Sequence, residues 1–199
     1  MKFIALTLLA LFPCLAASPA IDKNKATGNP GAPIVMEIYS SFDCPHCKIM
    51  HESFEPMIAR DYVVTGKVYL VKREFPLSGP GHQFAREAAQ YATAAARIGK
   101  YNEVADALYK NQIAWSQDGK VWQTVANVLT AAEQAKVQAL SKEPGVMAEV
   151  QQDYDAGVAN AINSTPTLIV THKGRKYPFS GVPPSYDFFK KFIDDLLAK

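Results

Sequence analysis

Apolar positions follow three different rhythms along this chain. Residues 3–15 are apolar apart from Thr7, and the small residues Ala16, Ala17, Ser18 and Ala20 follow. From Ile34 to Tyr39 a short run of β-branched, apolar and aromatic residues, interrupted only by Glu37, predicts a buried strand. Cys44 to Arg60 takes helical spacing, with Ile49, Phe54, Met57 and Ile58 as the expected buried side and Pro56 as an expected kink. Lys67 to Phe75 alternates as a second strand, setting Val68 and Leu70 against Tyr69, Val71 and Arg73. A strand, a helix and a strand in so short a span predict a parallel βαβ unit.

The rhythm then changes. Residues 81–161 are rich in Ala, Gln, Glu and Lys and predict a block of helices. The first, 83–98, is ended by Gly99 and carries Phe84, Ala88, Tyr91, Ala92 and Ala95 on one side. Further helices are expected over 101–111, 121–129, 130–140 and 146–160. Strand character returns at Thr167–Thr171, and a Gly174-containing turn leads to a return strand at Lys176–Phe179. Ser185 is placed to cap a last helix with Phe188, Phe189, Phe192, Ile193 and Leu196 as its stripe. The order is β-α-β, a helical block, then β-β-α. This is an α/β domain in two parts, 34–80 and 162–199, with 81–161 inserted between them. Residues 21–33 mix Asp, Lys, Asn, Gly and Pro without period and are expected to be a flexible leader.

Composition narrows the class. With 48% hydrophobic and 20% charged residues the chain is globular, neither disordered nor fibrous. A net charge of +2 gives no electrostatic footprint for nucleic acid. Lys2, the apolar run and the small residues after it have the order of a secretory signal peptide, cut after Ala17 or Ala20. The run is too short for a comfortable membrane span. Cys14 also opens a lipoprotein reading, against which stands Pro13, where a small residue is expected. The expected location is therefore periplasmic or otherwise exported.

Cysteine usage then becomes informative. Of three cysteines, Cys14 leaves with the signal peptide, and Cys44 and Cys47 remain within one four-residue motif. Structural staples in exported proteins are instead spread across loops. Two cysteines three apart at a helix start can close or open a disulfide with little backbone movement. Unpaired N–H groups and the helix dipole favour a thiolate at Cys44. His46 can donate a hydrogen bond or positive charge to it. Pro45 suits the first helical turn because it offers no N–H. Cys44 is thus the attacking and attacked sulfur of a mixed disulfide, and Cys47 resolves it. A zinc site would need two more ligands, and His51, His82 and His172 show no ligand spacing. His51 reads as a solvated helix residue, and His82 and His172 as loop or helix-end residues without a role. A purely structural disulfide across four residues would close too short a loop to stabilise much. No metal and no cofactor is expected.

Phe42-Asp43-Cys44-Pro45-His46-Cys47 after a strand resembles the active site of the DsbA-like branch of the thioredoxin superfamily. Ser164-Thr165-Pro166-Thr167 before a strand resembles its second hallmark, and the helical block resembles that family's insertion. The resemblance covers about residues 34 to 198 and implies a thioredoxin fold, a central mixed sheet flanked by helices, with an inserted helical domain. It implies that Cys44 is an exposed nucleophile and Cys47 its buried partner. Thr165 and a cis Pro166 would pair with a substrate's extended chain. It further implies oxidation of thiols in newly exported proteins and reoxidation by a membrane partner linked to quinone. The family's buried acid, a proton relay for the second cysteine, has only Glu37 as its counterpart. Glu37 is displaced by one residue, which in a strand turns it to the other face. A reductase or isomerase using the same residues stays open, as do a redox-inert chaperone and a two-thiolate metal carrier. A monomer is the expected state.

Overall fold

Both apolar runs become neighbouring central strands. The structure, a computed structural model, describes residues 20–199, so the signal-peptide and Cys14 expectations lie outside it. Strand β1 is Ala26–Thr27, β2 Ile34–Ser40, β3 Val68–Glu74, β4 Thr167–His172 and β5 Arg175–Ser180. They form one sheet in the order β1-β3-β2-β4-β5. Among the described residues only β2 and β3 run parallel, with Ile34 opposite Val68 and Ser40 opposite Glu74. The expected βαβ unit is therefore the centre of the sheet, and the hairpin of β4 and β5 joins β2 antiparallel. That hairpin turns at Lys173 and Gly174, both at positive φ, as a tight two-residue connection requires.

Helix α1 opens at Pro45–Ile49, widens into a π turn at Met50–Phe54, regains α geometry at Glu55–Ile58 and ends in a second π turn at Ala59–Val63. Pro56 has no N–H for the carbonyl one turn back, which accounts for the loosened turn ahead of it. The buried line runs from Cys47 through Met50 to Ile58, at spacings of three and eight. Ile49, expected inside, is 47% exposed because it falls off that line.

Between β3 and β4 come α2 (Ala85–Ala96), α3 (Tyr101–Lys110), α4 (Gln112–Asp118), α5 (Val121–Ala126), α6 (Ala131–Leu140) and α7 (Pro144–Ala159). Of these, α4 is absent from the expectations. Helix α8, Tyr186–Leu197, is capped by the Ser185 hydroxyl, which accepts the Phe188 N–H at 3.1 Å. Phe188 itself is 54% exposed, one position off the stripe formed by Phe189, Ile193 and Leu196.

Three apolar clusters fix the layers. Ile34, Met36 and Ile38 pack with Met50 and Ile58 of α1 and with Phe189 and Ile193 of α8. The opposite sheet face puts Tyr39, Phe75 and Ile169 against Ala156 of α7. Helix α7 comes this close because Gly157 has no side chain; a Cβ there would lie 2.5 Å from the Phe75 ring. The third cluster is the insertion's own core of Ala88, Ala92, Leu108, Trp115 and Val125, and it takes in Phe42, Cys44 and Cys47. The cysteine pair thus sits at the seam between sheet and insertion.

The leader departs from expectation, because it is built into the fold. A 3₁₀ turn at Lys23–Lys25 leads into β1, which pairs with Val71 and Leu70 of β3. Lys25 is 3% exposed, with Nζ 2.7 Å from Asp153 and 2.9 Å from Glu149. Arg73 reaches Asp153 at 2.9 Å and donates from Nε to Glu37 at 2.9 Å. Buried cations are tolerated only with such partners. Asp153→Ala removes the carboxylate they share and is expected to cost about 3–5 kcal/mol. A denaturation midpoint within experimental error of the parent would show that the network contributes nothing.

Candidate active site

At the start of α1, Cys44 is the cap residue with extended backbone and Pro45 takes the first helical position. Both thiols are free; Cys44 is 5% and Cys47 1% exposed. Pro45 and His46 between them are exposed. The bond between Thr165 and Pro166 is cis. It brings residues 121 positions away in sequence against the helix start: the Cys44 thiol donates to the Thr165 carbonyl at 3.3 Å. The Thr165 hydroxyl is buried and has no hydrogen-bond partner among the described residues.

The two sulfurs differ in their protonation. A hydrogen bond from Cys47 is the main influence holding Cys44 down at about 5; burial opposes it, and the backbone N–H groups of Cys47 and His46 reinforce it. Burial pushes Cys47 far upward, and the hydrogen bond and charge of Cys44 add to the effect. One thiolate facing one protonated thiol is what disulfide exchange needs.

Two sequence expectations about the cysteine pair need correction, and a third, the direction of Glu37, is met. Cys44 is enclosed rather than standing free in solvent, with the exposed Pro45–His46 edge beside it. His46 contributes its backbone N–H to the thiolate, while its side chain lies on the exposed edge. Glu37 belongs to the sheet face of α7, where Arg73 binds it and continues to Asp153. Its neighbours Met36 and Ile38 point the other way, into the cluster with α1. The one-residue displacement does turn Glu37 away.

Other polar groups surround the pair without having been expected. Asp43, just before Cys44, accepts a hydrogen bond from the Ser41 hydroxyl and pairs with His82 Nδ1 at 2.5 Å. His51 is not simply solvated: it lies between Glu55 at 3.1 Å and Asp106 of α3 at 2.7 Å and stacks on Tyr109. Burial would raise Glu55, but Lys72 and His51 outweigh it and hold the carboxyl at about 2. Burial lifts Tyr109 well above its ordinary range, and Cys47 and Glu55 both add to that. Ser40, Glu55, His51 and Tyr109 line a small enclosed polar space between α1 and the insertion. Burial raises Glu74 to about 7, although Lys25 counters it and Tyr101 donates to it at 2.9 Å. Gln112 of α4 donates to the carbonyls of Phe42 and Cys44. Apart from the Ser41–Asp43 and His51–Glu55 pairs, which are two and four residues apart, these contacts are made across elements, so no sequence spacing announces them.

A family model described as Thioredoxin matches residues 22–195. The chain belongs to the thioredoxin family. This thioredoxin-family protein is also similar to Na(+)/H(+) antiporter NhaA 1 of Mycolicibacterium vanbaalenii, 30% identical over 160 residues that make up 77% of the chain and 24% of the antiporter. The chain thus spans about a quarter of the length of these curated relatives. Probable disulfide bond formation protein D of Bacillus anthracis is 25% identical over 191 residues, covering 90% of the chain and 81% of that protein. Among solved structures, Wolbachia pipientis alpha-DsbA1 superposes with a TM-score of 0.70 at 21% identity, over 87% of this chain and 90% of that one. The thioredoxin fold with a helical insertion is therefore shared with DsbA proteins. No helix among the described residues is long and apolar enough to cross a membrane.

Proposed function

We propose that this protein is a thiol–disulfide oxidoreductase of an exported compartment, and that it works there as an oxidant. The observation that carries the reading is the asymmetry of the pair: a thiolate held at a helix start at Cys44, against a buried, protonated Cys47. Stabilising the thiolate stabilises the reduced enzyme, so the disulfide form readily takes electrons.

In the proposed reaction a substrate thiolate attacks Sγ of Cys44 in the Cys44–Cys47 disulfide. The S–S bond breaks, Cys47 leaves with the electron pair and takes up a proton, and a mixed disulfide remains at Cys44. A second substrate thiolate attacks the substrate sulfur of that bond and expels the Cys44 thiolate. The substrate has lost two electrons and the enzyme has gained them. Cys44 and Cys47 carry the chemistry. Pro45 and the His46 N–H shape the helix start, and Thr165 and Pro166 lie where an extended substrate chain would pair. Glu37 acts in this scheme as a partner of Arg73, not as the proton relay.

Support comes from the likeness to a disulfide bond formation protein and to DsbA structures. The partners proposed from the resemblance of the cysteine motif are thiol-containing exported proteins and a quinone-linked membrane protein that restores the disulfide, and a monomer is the proposed state. Antiport is not carried over, since the match covers 24% of the antiporter. The test mixes oxidised protein with a reduced two-cysteine peptide. Formation of the peptide disulfide at one per enzyme is expected; recovery of the peptide as dithiol would sink the reading.

A further inference from the structure

Gln112 is the first residue of α4, a helix of the insertion, and lies 68 positions from Cys44 in the chain. It is 4% exposed. Its side-chain amide donates to the carbonyl of Phe42 at 2.6 Å and to that of Cys44 at 2.9 Å. The Cys44 carbonyl also accepts the Lys48 N–H at 3.2 Å, the first helical bond of α1. One amide therefore ties down the carbonyls on both sides of Asp43 and joins the opening bond of the helix. Its own helix is fixed in turn by Trp115, 1% exposed, whose Nε1 donates to the Leu108 carbonyl at 2.7 Å.

A buried amide with both hydrogens on carbonyls is not filler. An apolar side chain of the same size would pack there but leave two buried acceptors short of donors. We infer that Gln112 is a positioning residue for the redox pair, through which the helical insertion holds Cys44 in its thiolate cradle and so favours the dithiol over the disulfide. The reason lies in the geometry. In the dithiol, the Cys44 sulfur is kept against the His46 and Cys47 N–H groups by the orientation of its own peptide planes. Gln112 sets those planes. In the disulfide a covalent bond to Cys47 holds the sulfur, and the clamp matters less. Loss of the clamp is therefore felt mainly by the reduced form.

The inference rests on the redox reading of the pair, and its test separates the two. Gln112→Met keeps length and packing but removes both donors; Gln112→Asn keeps the amide but withdraws it by one methylene, and serves should the Met variant not fold. Three quantities are measured: the glutathione equilibrium constant, the ultraviolet titration of the Cys44 thiolate, and the melting midpoints of both redox forms. The variant is expected to shift the equilibrium up to about tenfold toward the disulfide, the scale of one lost backbone hydrogen bond. The Cys44 midpoint should move upward, and the reduced form should lose more melting temperature than the oxidised one. Equal losses in both forms, with the equilibrium constant and Cys44 titration unchanged, would overturn the inference and leave Gln112 a structural residue. If the parent protein itself forms no disulfide in glutathione buffers, the redox reading falls, and the Cys44 titration still decides the clamp.

Discussion

Cys44→Ser is expected to reduce disulfide transfer to the uncatalysed background, and Cys47→Ser to produce a stable enzyme–substrate adduct. The two outcomes follow from the division of labour at the start of α1. The sulfur of Cys44 faces the Thr165 carbonyl beside the exposed edge of Pro45 and His46, so it is the one a substrate can reach. A serine hydroxyl there can form no disulfide and is a far weaker nucleophile at neutral pH than a thiolate. The fold should survive, because the change is one atom at a helix cap. Cys47 is nearly fully buried and is held protonated. Serine in its place removes the internal attack that frees a bound substrate, so a mixed disulfide at Cys44 persists. Mass spectrometry of the Cys47→Ser protein after exposure to a glutathione-activated peptide should show one adduct per chain, absent when Cys44 is also replaced. An adduct on Cys47 in the Cys44→Ser protein would reverse the assignment.

The second large effect is a break in the pH dependence of the reduction potential. Reducing the pair takes two electrons, and the number of protons taken with them depends on Cys44. Below about pH 5 both thiols are protonated, and the potential falls by about 59 mV per pH unit. Between about 5 and its ordinary value of 9.0 Cys44 is a thiolate in the folded dithiol, one proton is taken up, and the slope halves to about 30 mV. The same shift has a stability sign. Cys44 is an acid whose folded pKa is depressed, so it stabilises the reduced protein fully above the unfolded value. That stabilisation is lost as pH falls toward 5 and is absent below it. Cys47 is raised instead and changes nothing in this window. Melting midpoints of the two redox forms should therefore draw together as pH is lowered from 8 to 4. A single slope of about 59 mV across the whole range would mean that Cys44 keeps an ordinary thiol pKa.

How much of this was legible beforehand depended on distance along the chain. The two apolar runs, the βαβ unit, the hairpin turn and the Ser185 cap are local patterns, and the structure forms all of them. The cysteine motif is local too, as was the displacement of Glu37, which strand alternation alone sends to the face of α7. What sequence could not supply is placement across the seam. Residues 21–33 read as a loose leader because they are polar, yet Lys25 is buried against carboxylates more than a hundred residues away. Ile49 and Phe188 are apolar residues one step off the buried line of their helices, and apolar identity alone put them inside. Helix α4 was missed because it is short and mixed in character, although it carries Gln112. Asp43 and His82 stand 39 positions apart and meet only once the chain returns from β3.

The central claim is the direction of exchange, and the reduction potential of the Cys44–Cys47 pair, equilibrated in glutathione buffers of known ratio, tests it most directly. A value of about −120 to −150 mV is expected, that of a disulfide that oxidises its substrates. A value near about −270 mV would contradict it and make the same pair a reductant.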